Sequence, residues 1–162
     1  MQELVARAER IARLLKGRKE TVVIAESSTG GLISAALLSI PGASAYFLGG
    51  AVVYTKTARS EFFDITEETM NGMRASTEPY ALLLANTARE RFGATWALGE
   101  SGATGPAGNR YGDASGHCCI AITGLAEHAI TIETGVDDRY ANMFSFAAAA
   151  LDLLEATLKQ AA

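Results

Sequence analysis

Thr21-Val22-Val23-Ile24-Ala25-Glu26-Ser27-Ser28-Thr29-Gly30-Gly31, with the apolar run Leu32 to Ile40 behind it, is the stretch on which the fold turns. Thr21 to Ala25 is short, apolar and rich in β-branched residues, which reads as a buried strand rather than a helix. Glu26 to Gly31 is a polar, glycine-bearing turn, and Leu32 to Ile40 then reads as a helix. A strand that runs through such a turn into a helix N-terminus brings backbone N–H groups and hydroxyls to one corner.

Upstream, Leu4, Ala8, Ile11 and Leu15 recur at helical spacing, and Gly17 is placed to end that helix. Downstream, Pro41-Gly42-Ala43-Ser44 is a turn by composition. Tyr46 to Tyr54 reads as a strand interrupted by Gly49-Gly50, a pair that signals a bulge or a close approach. A short helix is expected from Ala58 to Phe63. Thr77-Glu78-Pro79 opens a longer one, with Tyr80, Leu83, Leu84, Thr87 and Arg91 aligned along it and Gly93 closing it. Thr95 to Leu98 is a strand leading into the glycine-rich loop Ser101 to Gly108. Gly116 to Thr123 and His128 to Thr134 read as a hairpin. Asp137 or Asp138 caps a final helix whose inward face is Phe144, Ala148, Leu151, Leu154 and Leu158. This mixed order argues for a helix-covered sheet, partly parallel and finished by an antiparallel hairpin.

With 162 residues the chain fits one domain, 1–162, and 49% hydrophobic against 20% charged residues supplies a core rather than disorder. A formal net charge of −4 without a long Lys/Arg run argues against a general nucleic-acid binder, while leaving room for a local basic pocket. No stretch approaches transmembrane length, and the charged amphipathic start lacks an apolar signal-peptide region. Cys118 and Cys119 are adjacent, so they are neither a normal disulfide nor a CxxC site. As small apolar strand residues with reduced thiols they suit a cytoplasmic setting.

Three places could carry chemistry. At Glu26 to Gly31 the helix dipole and free N–H groups favour a phosphate or an oxyanion, and Ser27 or Ser28 could be a nucleophile; capping alone also explains the pattern. Ser101 to Gly108 follows a strand, where α/β sheets bind ligands, although a plain surface loop fits too. Tyr54, Lys56 and Arg59 join a phenol to two cations that would grip a phosphate or ease loss of the phenol proton, unless they are only a solvated helix start. His117 and His128 lie on separate strands without ligand spacing, so no metal is expected.

Taken together, these segments resemble the CinA C-terminal domain family, which includes nicotinamide-nucleotide amidases. Ala25 to Gly31 is similar to the family's opening motif, with Ser28 where Cys is common. Pro41 to Phe47, Gly50 to Thr55, Ala75 to Pro79, and Ser101-Gly102 with Gly105-Pro106 and Gly108 match its later blocks in order, over nearly the whole chain. The resemblance implies a three-layer α/β/α fold with a mixed sheet and hydrolysis of the carboxamide of nicotinamide mononucleotide to nicotinate mononucleotide and ammonia, without metal or organic cofactor. It makes Ser27 the nucleophile and Tyr54 a proton relay, with Arg59 in the third catalytic position. Backbone N–H groups around Thr29, Gly30 and Gly31 would hold the oxyanion, and Ser44, Thr77, Ser101, Gly102 and Gly105 fall on substrate contacts.

Two departures stand out. Arg59 replaces the usual Lys and cannot readily accept a proton; it would bind phosphate or lower the pKa of Tyr54 instead, and Lys56, three residues earlier, is the substitute base. Asp113-Ala114-Ser115 replaces the usual Lys-Pro-Val, which makes that loop less welcoming to phosphate unless Arg74 and Arg110 compensate. The alternatives are a catalytically weak or inactive relative that binds a nucleotide or a protein, and an amidase with another small substrate. A homo-oligomer is compatible with either reading, since small α/β enzymes often pair, but no feature specifies an interface.

Overall fold

Val22–Glu26 (β1) is the second strand of a five-stranded sheet in a computed structural model that describes residues 1–162. The other elements are helices Gln2–Arg18 (α1), Leu32–Leu38 (α2), Lys56–Phe63 (α3), Glu67–Met70 (α4), Glu78–Phe92 (α5) and Arg139–Gln160 (α6), and strands Phe47–Val52 (β2), Trp96–Ala103 (β3), His117–Thr123 (β4) and His128–Glu133 (β5). The sheet order is β2-β1-β3-β4-β5; β1 runs parallel to β2 and β3, whereas β4 is antiparallel to β3 and β5. The expected mixed sheet and its closing hairpin are both present.

Strand alternation builds two cores. Val22, Ile24, Trp96, Leu98, Cys118, Ile120 and Ile122 face α1, α2 and α6, while Val23, Ala25 and Ala97 face α5 with Phe63, Ile65 and Met70. This is the three-layer α/β/α arrangement. Burying a Leu, Ile or Phe side chain stabilises by roughly 1.5–3 kcal/mol. An exposed pair such as Arg7–Asp152 contributes about 1 kcal/mol or less, so the two apolar faces hold the layers together.

Several boundaries differ from the expectation. Gly17 lies inside α1, which ends one residue later at Arg18 and is capped by Lys19 in the left-handed conformation. α2 stops at Leu38, and a short 3-10 turn, Ala43–Ala45, fills the stretch read as a plain turn. α3 starts at Lys56, capped by the Thr55 hydroxyl; Thr77 and Asp138 cap α5 and α6 in the same way. α4, not foreseen, is a single turn capped by Thr66. In β2 the register slips between Val22 and Val23 of its partner, and a Cβ on Gly50 would collide with Ser34, so both features expected of Gly49-Gly50 occur. α6 turns Phe146, Ala147 and Ala150 fully inward with Leu151, Leu154 and Leu158; Phe144 and Ala148 only pack against that core from outside.

Candidate active site

β3 continues past the expected loop boundary, so Ser101 and Gly102 are strand residues paired with Cys119 and Cys118. Parallel pairing of Ala25 with Gly99, carried forward, sets Glu26 beside Glu100 and Ser27 beside Ser101. Alternation then sends the two glutamates toward the α6 side and the two serines toward the α5 side. On the serine side lies a cavity of about 340 Å³, bounded by Ser27, Ser101 and Gly102 from the strand ends, Tyr54, Lys56 and Arg59 from the start of α3, Ser76 and Tyr80 from the start of α5, and Asn109, Arg110 and Tyr111. A larger groove of about 530 Å³ between the ends of α1 and α6 has Glu3 as its only ionisable side chain, so chemistry rather than size marks the site.

Five residues expected at the site therefore meet there: Ser27, Tyr54, Arg59, Ser101 and Gly102. The Ser27 hydroxyl, on a residue 7% exposed, makes no hydrogen bond to the protein. Ser101 Oγ accepts from the Ser76 N–H at 3.1 Å, which ties β3 to the turn before α5. Arg59 is buried, donates to Glu67 at 3.0 Å and sits over the Tyr80 ring. Burial pushes the Tyr80 phenol up, and Arg59 only partly offsets this. Lys56 pairs with the same Glu67 at 3.2 Å, which, with Arg59, holds that carboxyl below its ordinary range. Tyr54 takes its guanidinium contact from Arg139, at 2.9 Å, not from Arg59 as the sequence suggested.

Other expected contacts lie elsewhere, each for a definite reason. Of the five N–H groups from Ser27 to Gly31, those of Ser27 and Thr29 donate to Glu100, that of Gly30 to the Ser27 carbonyl and that of Gly31 to Glu26. The oxyanion donors sought around Thr29, Gly30 and Gly31 are thus already engaged, and only the Ser28 N–H has no acceptor in the protein. The Thr29 hydroxyl is buried between Glu26 and Glu100. Ser44 is exposed in the 3-10 turn before β2, at the opposite end of that strand from Tyr54. Thr77 spends its hydroxyl capping α5 and donating to the Arg74 carbonyl. Gly105 is folded against Ser115, and its carbonyl accepts from Arg139 at 2.6 Å.

In the 105–115 segment, of the two compensating cations the sequence offered, Arg74 pairs directly with Asp113: it holds the carboxylate in a two-point ion pair at 2.7 and 3.3 Å, and Asn109 adds a third bond. That pairing draws the Asp113 carboxyl below its ordinary range. Arg74 and Arg110 both lie against the Tyr111 ring, and Arg110 reaches the cavity with only the Tyr111 hydroxyl as partner. His117, read as a lone strand histidine, bonds Glu133 through Nδ1 at 2.5 Å and the Ser76 carbonyl through Nε2 at 2.8 Å. Two acceptors require both ring nitrogens to carry protons. Burial opposes that charge, but the Glu133 and Ser76 bonds and the Asp113 charge outweigh it and raise the His117 pKa. Cys118 and Cys119 are free thiols buried on opposite faces of β4. No three His, Cys, Asp or Glu side chains converge as a metal ligand set, and no helix is long and apolar enough to cross a membrane.

The fold and cavity define an α/β protein with a hydroxyl and a set of cations gathered at the carboxyl ends of parallel strands. Residues 5–158 match the family model for the CinA C-terminal domain, and the chain belongs to that family. A CinA-like protein of Chlorobaculum tepidum is 34% identical over 157 residues, covering 94% of this chain and 37% of that protein. A CinA-like protein of Prochlorococcus marinus (strain MIT 9313) is 39% identical over 68% of this chain and 26% of its own length. The chain thus spans only about a quarter to a little over a third of these relatives. Among solved structures, a CinA superfamily protein of Klebsiella pneumoniae superposes with a TM-score of 0.90 at 24% identity, over 97% of this chain and 98% of the other. The competence/damage inducible protein CihA of Agrobacterium tumefaciens gives 0.88 at 28%, over 97% and 96%.

Proposed function

We propose that this chain is an amidohydrolase that converts nicotinamide mononucleotide to nicotinate mononucleotide and ammonia through Ser27. The observation that carries the reading is the Ser27 hydroxyl, without a protein partner, opening into a cavity whose ionisable wall is mostly cationic: Lys56, Arg59 and Arg110. Those cations suit a phosphate, and the rings of Tyr54, Tyr80 and Tyr111 suit a flat heterocycle. Ser27 Oγ attacks the carboxamide carbon, and the carbonyl oxygen gains negative charge as the tetrahedral intermediate forms. The Ser28 N–H, next to the nucleophile in the chain, is the donor left to receive that charge. Collapse expels ammonia, and water then releases the acid from the acyl-serine.

The base is the weaker part of the chemistry. Arg59 stays protonated, and Lys56 is tied to Glu67, so the phenol of Tyr54 is the group left to relay the serine proton. This observation favours a second reading, a domain that holds a nucleotide with little turnover.

Ammonia release from nicotinamide mononucleotide decides between the two. Wild type should release it, and Ser27→Ala should lower kcat by about 10³-fold or more while still binding the nucleotide. Binding by wild type with no release above background would leave only the second reading.

A further inference from the structure

Glu26 and Glu100 are each 0% exposed and, by the β1–β3 register, lie side by side on strands roughly 4.8 Å apart. The Thr29 hydroxyl is 2.8 Å from a carboxyl oxygen of each, with one proton to give. No Lys, Arg or His forms an ion pair with either. The ionisable neighbours are Cys118, 3.6 Å from Glu100 on β4, and Tyr80, which senses Glu100 from α5. Two anions in such a place repel with no cation between them to offset it.

The surroundings are unequal. Glu26 receives the N–H groups of Gly31, Ile33 and Ser34 and the hydroxyl of Ser34, at 2.7–3.2 Å, at the start of α2. Glu100 binds the N–H groups of Ser27 and Thr29 through Oε2 and the Ser28 hydroxyl through Oε1.

We infer that the pair carries one negative charge, on Glu26, and that Glu100 is a neutral acid whose three bonds to Ser27, Ser28 and Thr29 fix the turn and so aim the Ser27 hydroxyl into the cavity. The protons balance: the Glu100 O–H goes to Ser28 Oγ, the two N–H groups go to Oε2, and the one Thr29 hydroxyl proton is shared between Glu26 Oε1 and Glu100 Oε2. Burial pushes the Glu100 carboxyl up, in the same sense. Glu100 acts here through Ser27 and Ser28, as a positioning residue. Its effect on rate rests on Ser27 being the nucleophile; its protonation does not.

Glutamine reproduces the bonding of the neutral acid, with an N–H toward Ser28 and a carbonyl toward the two N–H groups. The whole chain with ¹³C-labelled glutamate should show a carboxylic-acid C=O infrared band near neutral pH that disappears in Glu100→Gln. Kinetically, Glu100→Gln should keep kcat within about threefold with the same pH profile, whereas Glu100→Ala should lower kcat at least ~10-fold with KM within about threefold. No protonated-glutamate band in wild type would overturn the inference. So would a Gln variant that fails to fold or falls as far as Ala. If wild type releases no ammonia, the Ser27 reading fails, and the band alone still decides the state of Glu100.

Discussion

The hydroxyls of Ser27 and Ser28 meet different surroundings although the residues are neighbours in sequence. Ser28 is spent on Glu100, and Ser27 opens to the cavity. Both are small and polar, so residue type does not separate them; strand register does. His117 makes the same point for a titrating group. Its doubly bonded ring places the folded pKa above that of the unfolded chain, so its contribution to stability is complete below the ordinary imidazole value, about 6.5, and is lost as pH rises through the folded value. Urea midpoints should therefore fall across that window in wild type, and His117→Gln should flatten the fall. Equal slopes for the two proteins would show that the ring is not charged in the folded state.

At the scale of elements, α5 rests on β3 because Gly99 leaves no Cβ to strike the Ala81 carbonyl. Gly99→Ala should force the layer apart and destabilise by about 1–3 kcal/mol, the usual cost of overpacking, read as a lower urea midpoint with an unchanged slope. An unchanged midpoint would mean that the helix shifts without strain. β1, the opening of α5 at Thr77-Glu78-Pro79, a cap on α6 from Asp137 or Asp138 and the closing hairpin were legible in the chain, because each depends on residues within one or two turns of itself. The last residues of β3 were not: Ser101-Gly102-Ala103 has loop composition, and it becomes strand because β4 pairs with it from a distant part of the sequence. Glu100 was missed for the same reason. Nothing local says that a glutamate two strands' width from solvent will bridge three residues of another turn. The Arg74–Asp113 pair, 39 residues apart, is the compensation the sequence offered, but only the fold shows that it is a direct ion pair.

Across the whole molecule, a formal charge of −4 surrounds a cavity lined by Lys56, Arg59 and Arg110, with Arg139 at Tyr54 on its rim. An anionic substrate is therefore attracted locally and repelled at longer range, and salt screens both, the exposed pair Lys56–Glu67 most readily. KM for nicotinamide mononucleotide should rise severalfold between about 0.02 and about 0.5 M sodium chloride with kcat steady; a flat KM would mean that these cations do not sense the ligand's charge. The two walls are also anchored independently of the floor. Lys56 and Arg59 hang on α3, while Asn109 to Tyr111 hang on the Arg74–Asp113 clasp, and neither is bonded to the Glu26–Glu100 layer that holds the Ser27 turn. Exchanging the 109–111 rim is therefore a change of clientele rather than of trade: on the proposed amidase reading, a redesigned loop can admit a different amide while the Ser27 corner stays where it is.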